Sequence, residues 1–243
     1  MGLESQPGRR QYVKFAFFKV APEWRRLDVT TRDRQLAEFR DVVEEWTERN
    51  LIRCYSTVGT RGDADFMIWQ VSYDLHDQQE MAGELLGTDF GGWLTTPFSY
   101  LSMTKNSQYV EKYSGPDRDK FTRLNLAPGE HKYLFVYPLT KLRGWYTLSK
   151  EERQEAMNQH IAIGHTYSSV KLNTTYSFGL DDQEFVLAFE TDEPGDFLDL
   201  VQELRGSMSS AYTERDIPIF TCIAVTAEKM LRALSRTRVG TAV

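Results

Sequence analysis

Tyr12 returns as Tyr133, Phe66 as Phe185 and Pro97 as Pro218, at offsets of 121, 119 and 121 positions in a chain of 243 residues. A near-constant offset of that size is too long for a solenoid unit and implies duplication of a small domain. Whatever the first half folds into, the second half must fold into as well.

The first half supplies the pattern. "YVKFAFFKV" (12–20) reads as a strand from its aromatic and β-branched content. Leu36, Phe39, Val42, Val43 and Trp46 then recur at helical spacing with charge on the opposite face. "IRCYSTVG" and "DADFMIWQVS" read as strands around the turn "GTRGD", followed by a helix near 77–87 and a strand in "TPFSYLSMT". The second half repeats the order, with "KYLFVYPL", a helix opened by a Ser149/Glu152 capping box, "SVKLNTTYSF", "QEFVLAFET", "GDFLDLVQELR" and "IPIFTCIAV". Each half is β-α-β-β-α-β, the ferredoxin-like pattern, and the fold class is α+β. Two such units are expected to pair their antiparallel sheets in the manner of a dimeric α+β barrel. The expected division is 1–125, an N-terminal half with a linker loop, and 126–243, with a polar, weakly periodic linker stretch over 105–130 spanning the boundary.

Composition narrows the function. Apolar and charged fractions of 41% and 26% are those of a globular chain. A net charge of -6 without a basic cluster argues against nucleic acid. The longest apolar runs, "FVYPL" and "FTCIAV", are too short to span a bilayer, and "MGLESQPGRRQ" has no apolar leader core, so a cytoplasmic location is expected. Cys54 and Cys222 lack metal-ligand spacing and read as buried reduced thiols. No P-loop, G-x-G-x-x-G or G-x-S-x-G is present.

Four histidines remain, none with zinc-motif spacing: His76, His131, His160 and His165. His160 shares a helical face with Arg153, Ala156 and Met157. It is either a satisfied core histidine or a neutral imidazole facing an apolar space, as an axial haem ligand requires. Tyr137 and Lys141 flank Pro138, which is expected to end regular strand pairing. They read equally as a strand-end aromatic with a snorkelling lysine, or as part of a site.

Together the duplicated pattern, "YPLTK", "WYTLSKEERQEAMNQH" and "YSFGLDDQEFVLAFETDEPGDFLDLVQELR" resemble the chlorite dismutase family, and within it the coproheme decarboxylases. The resemblance runs from about residue 11 to 233 and is densest over 133–222. It implies iron bound by His160, Tyr137 as a radical relay beside a porphyrin propionate, and Lys141 at the same propionate. It also implies Arg123 and Ser209 as propionate donors, and Trp145 at the pocket border. The implied ligand is iron coproporphyrin III, converted with hydrogen peroxide to haem b, and the implied assembly is a homopentamer. Such a ligand needs cationic and hydroxyl donors for its carboxylates.

Chlorite dismutation is the rival activity and requires a distal arginine. By spacing that position is Asn173, which can donate a hydrogen bond but carries no charge. Two further departures stand out. Met208 occupies a segment where many relatives carry an acid, and Asn106 replaces an expected basic residue. A non-enzymatic haem-binding protein on the same scaffold is the third reading.

Overall fold

The structure, a computed structural model, describes residues 3–109 and 124–235. Arg123, the expected propionate clamp, lies outside the described residues. The elements are β1 (Tyr12–Val20), α1 (Val29–Trp46), β2 (Leu51–Ser56), β3 (Phe66–Ser72), α2 (Leu75–Gly87) and β4 (Leu94–Met103). They continue with β5 (Tyr133–Lys141), α3 (Arg143–Thr147), α4 (Lys150–Thr166), β6 (Lys171–Tyr176) and β7 (Phe185–Thr191). α5 (Pro194–Arg205), β8 (Thr213–Arg215), β9 (Phe220–Val225) and α6 (Ala227–Ser235) complete the set. The β-α-β-β-α-β order is present twice, and the strand order β1–β3–β2 in the first copy matches β5–β7–β6 in the second. The fold is the duplicated ferredoxin-like α+β fold expected from the offsets.

The compact units do not follow the expected cut near residue 125. One unit contains 14–99 together with 222–235; the other contains 5–13 and the described residues of 100–221. Strand pairing accounts for the return of the C-terminal segment, because β9 pairs antiparallel with β2, Cys54 opposite Val225 and Ser56 opposite Ile223.

In the first unit, α1 starts where the Asp28 side chain accepts the Thr31 N–H at 2.9 Å. Its Leu36, Phe39, Val43 and Trp46, one stripe at helical spacing, are buried against Phe18, Phe66, Met81 and Leu85. α6 adds Met230, Leu231 and Leu234 to the same core. Cys54 and Cys222 are buried free thiols, and burial pushes the Cys54 thiol up to about 12.

In the second unit the sheet places β7 between β5 and β6. β5 does not stop at Pro138: the ladder continues through Pro138 opposite Val186. In an antiparallel pair only alternate residues bond a given neighbour, so a proline can be accommodated. The irregularity comes later, between Thr140 and Lys141 opposite β8. α4 opens with the complete capping box: Ser149 Oγ accepts the Glu152 N–H at 3.1 Å, and Glu152 Oε2 accepts the Ser149 N–H at 2.8 Å. Ile163 of α4 and Phe197, Leu200, Val201 and Leu204 of α5 pack on Phe135, Tyr137 and Phe189, covering one face of this sheet. Among the described residues no helix is long and apolar enough to cross a membrane.

Candidate functional site

The ladder registers of the second unit decide which strand residues face the helices. Residues opposite one another in antiparallel strands point to the same side, and neighbours along a strand to opposite sides. Tyr137 pairs with Leu187, which pairs with Thr174; Phe135 pairs with Phe189, which pairs with Leu172. Tyr137, Leu172, Thr174 and Phe189 therefore belong to the helix-covered face. Val136, Ala188 and Asn173 form the next row and belong to the other face.

Asn173 is thus not brought together with Tyr137. Its Nδ2 donates to Glu190 Oε1 at 2.7 Å, and Glu190 Oε2 accepts the Gly129 N–H at 2.7 Å. Glu190 is 2% exposed, with Lys171 Nζ 3.6 Å away. Asn173 serves a buried carboxylate that ties the segment before β5 to the sheet. The residues that β6 presents to the helix face include Thr174 and, next to Asn173, Leu172, an aliphatic side chain 42% exposed. The opposite side of that strand, with Asn173 and Thr175, is buried. Among the described residues the helix-facing side of β6 is therefore left exposed at Leu172, an uncharged position.

α4 supplies His160. Positions 153, 156, 157, 160, 163 and 167 share one helical stripe, and Ile163 and Tyr167 of that stripe pack in the cluster containing Tyr137. Among the described residues the imidazole Nδ1 is buried without a hydrogen-bond partner, and so is Nε of Arg153 two turns earlier. Burial, aided by the positive charge of Lys141, lowers the imidazole to about 4, so the ring is neutral at pH 7. A neutral imidazole unclaimed by the protein and aimed with an apolar stripe is the donor that an iron porphyrin needs. In this respect the residues present fit the group. No cluster of His, Cys, Asp or Glu among the described residues is suited to a bare metal ion.

Tyr137 is buried, its ring stacked on Phe189 at 5.8 Å and 15°. Burial, followed by the charge of Asp216, raises its phenol well above the ordinary value, so it stays protonated. Lys141 is buried and closed on the loop after α5. Its Nζ donates to the Ser209 carbonyl at 2.6 Å, to Ser209 Oγ at 3.0 Å and to Thr213 Oγ1 at 3.4 Å. Desolvation lowers its ammonium to about 8 against the opposing pull of Glu184 and Asp216. The ammonium also lies 5.0 Å from the ring of buried Trp145, which meets Tyr212 at 5.6 Å. Ser209 Oγ in turn lies 3.6 Å from Met157 Sδ, one turn before His160.

Of the residues singled out from the sequence, Lys141, Trp145 and Ser209 form one connected group linked to α4 through Met157. Tyr137 sits in the adjoining aromatic cluster, and Asn173 faces away. The sequence reading missed Glu190, hidden in the strand run "FVLAFET", although a carboxylate at every-other spacing with buried residues was a usable signal. It also missed Glu184, whose Oε2 accepts both the Lys141 N–H at 2.8 Å and the Tyr146 hydroxyl at 2.6 Å.

Comparison with known proteins identifies the family. Residues 32–225 match the family model described as chlorite dismutase. A coproheme decarboxylase of Mycolicibacterium smegmatis is 26% identical over 229 residues, covering 92% of this chain and 94% of that protein. A chlorite dismutase of Ideonella dechloratans is 27% identical over 213 residues, covering 87% and 74%. Among solved structures, chlorite dismutase from Candidatus Nitrospira defluvii in complex with imidazole superposes with a TM-score of 0.86 at 27% identity, over 93% of this chain and 95% of the other. A heme-binding protein from Thermus thermophilus shares the fold, with a TM-score of 0.81 at 24% identity over 96% and 99%. With the matched segment spanning most of the sequence and both copies of the fold, this chain belongs to the chlorite dismutase family.

Proposed function

We propose that the protein is a hydrogen-peroxide-dependent coproheme decarboxylase, converting iron coproporphyrin III to haem b. The observation that carries this reading is the pairing of His160, neutral and unclaimed at Nδ1, with Tyr137 in the apolar cluster continuous with its helix face. The uncharged Leu172 on that face also favours it over chlorite chemistry, which needs a cation to hold an anion.

His160 would hold the iron, and Tyr137 would stand beside a propionate. Trp145, Ser209 and Arg153 would border the porphyrin, and Arg123 would clamp a second propionate. Lys141, engaged with Ser209 and Thr213, would orient the loop carrying Ser209. The bound iron porphyrin, with peroxide, supplies the oxidising equivalents. Tyr137 gives up its phenolic hydrogen as proton and electron, then takes a hydrogen atom from the propionate β-carbon. A second electron leaves the substrate, the carboxyl carbon departs as carbon dioxide, and a vinyl group remains. Each propionic acid consumes one hydrogen peroxide and yields one carbon dioxide and two waters. The raised ionisation of Tyr137 keeps its hydrogen in place until an electron is withdrawn. The apolar rings of Phe135, Phe189 and Phe197 keep water from quenching the phenoxyl. A homopentameric, cytoplasmic enzyme belongs to the same proposal through the family resemblance.

The test is to mix the purified protein with iron coproporphyrin III, titrate with peroxide and follow porphyrin mass. Sequential loss of two carboxyl groups, abolished in Tyr137→Phe, supports the reading. Unchanged mass with tight haem b binding overturns it in favour of a haem-binding protein, and oxygen evolution from chlorite overturns it in favour of dismutation.

A further inference from the structure

Tyr146, on α3 beside Trp145, is half-buried, and its hydroxyl donates to Glu184 Oε2 at 2.6 Å. The carboxylate is fixed from a second side, because the same oxygen accepts the Lys141 backbone N–H at 2.8 Å. The strand end carrying it is pinned as well: the Glu184 N–H donates to the Leu139 carbonyl at 3.2 Å, and the Glu184 carbonyl accepts from the Ser177 N–H at 2.8 Å. Phe178 meets the phenol ring edge-on at 6.0 Å. Burial, with the bond to Glu184, holds the phenol well above its ordinary ionisation range, so it sheds a proton only when an electron leaves as well.

Removing one electron from a phenol turns it into a strong acid, and the radical forms readily only where a base stands ready for the proton. Glu184 is such a base, already hydrogen-bonded and held in place. Trp145, its neighbour, is in the opposite situation: the Lys141 ammonium 5.0 Å from its ring disfavours a positive charge there, and an indole cation radical is positive. Tyr146, by passing its proton to Glu184, ends as a neutral radical and escapes that repulsion. Tyr137 is stacked among apolar rings, and no carboxylate among the described residues accepts a hydrogen bond from it.

We propose that Tyr146 is a second redox-active tyrosine, whose proton passes to Glu184 as its electron leaves. The balance is simple. Tyr146–OH, the Glu184 carboxylate and a one-electron oxidant give the Tyr146 phenoxyl, the Glu184 carboxylic acid and the reduced oxidant. One electron from a donor of the ascorbate class, with the proton returned from Glu184, restores the pair. In the cell the oxidant rests on the proposed function, since peroxide-oxidised iron porphyrin would provide it. The residue would then drain oxidising equivalents that Tyr137 has not used.

The experiment needs no porphyrin, so its failure is separate from failure of the decarboxylase reading. The full chain is mixed with a ruthenium tris-bipyridine sensitiser and persulfate, flashed, and followed by phenoxyl absorbance and by electron paramagnetic resonance after freezing. The chain has 12 tyrosines, so assignment rests on variants. A fast phenoxyl phase is expected in the wild type and in Tyr137→Phe, slowed in deuterated solvent. It should be absent from Tyr146→Phe and slower by about tenfold or more in Glu184→Gln, which replaces a charge-assisted acceptor by a neutral one. Circular dichroism checks that each variant folds, and Tyr146→Phe keeps the ring contact with Phe178. A fast phase of undiminished amplitude in Tyr146→Phe, an unchanged rate in folded Glu184→Gln, or no solvent isotope effect in the wild type overturns the proposal.

Discussion

Replacing Asn173 by alanine tests the assignment of that side chain to the face away from Tyr137. Asn173 is 7% exposed and Glu190 2%, and their 2.7 Å hydrogen bond joins a neutral donor to a buried carboxylate. A bond to a charged group contributes about 1.5–3 kcal/mol, and among the described residues the carboxylate left behind would keep the Gly129 N–H at 2.7 Å and a lysine at 3.6 Å. Asn173→Ala should therefore cost about 2–3 kcal/mol. With a urea slope of about 2–3 kcal/mol per molar, the midpoint should fall by about 1 M. Glu190→Gln should be destabilising by a similar amount, and the double variant should lose less than the sum, with a coupling of about 1–2 kcal/mol. Affinity for an iron porphyrin should stay within about twofold of wild type, because the pair lies on the other face of the sheet. A stability loss below about 0.5 kcal/mol together with a tenfold loss of porphyrin affinity would place Asn173 in the pocket and refute the reasoning.

Leu172→Arg puts a cation on the helix-facing side of β6, so the haem-loaded variant should bind fluoride more tightly than wild type in an optical titration, whereas Asn173→Arg should bind it no better. Ser149→Ala removes one half of the capping box at α4 and should lower stability by about 1 kcal/mol in urea unfolding. Lys141, with its ammonium lowered to about 8 from 10.5, should make stability rise with pH across that window: the unfolded chain binds the proton more tightly there, and the penalty for burying the charge disappears on deprotonation. The gain should reach up to about 3 kcal/mol between pH 8 and 10.5 and should be missing from Lys141→Met when unfolding is compared at several pH values.

How much of this was legible in the sequence depends on the range of each signal. The helices α1 and α4 were readable because their apolar spacing and the Ser149/Glu152 box are local, and β1 was found at its observed limits, Tyr12–Val20. The face of Asn173 was not readable. In a strand a one-residue step exchanges the two sides, and only the pairing of Asn173 with Ala188 rather than Leu187 decides it. From the sequence Lys141 reads as a snorkelling lysine or a propionate contact, but the loop after α5, 68 residues away, supplies acceptors for its ammonium. The Tyr146 and Glu184 contact spans 38 residues and has no local signature at all. Pro138 was misjudged because a proline forbids only a bond from its own nitrogen, not membership of a strand.

The return of β9 to the edge of β2 also sets an order of events. The hairpins β2–β3 and β6–β7 close over short loops, from Ser56 to Phe66 and from Tyr176 to Phe185, and can form within microseconds of one another. β9 must instead bring Val225 back to Cys54, closing a loop that contains most of the chain. Loop closure of that length slows the search, so docking of β9 and α6 should come late in folding. Until it happens, β2 presents an unpaired edge, and a chain interrupted before Phe220 would expose that edge to its neighbours.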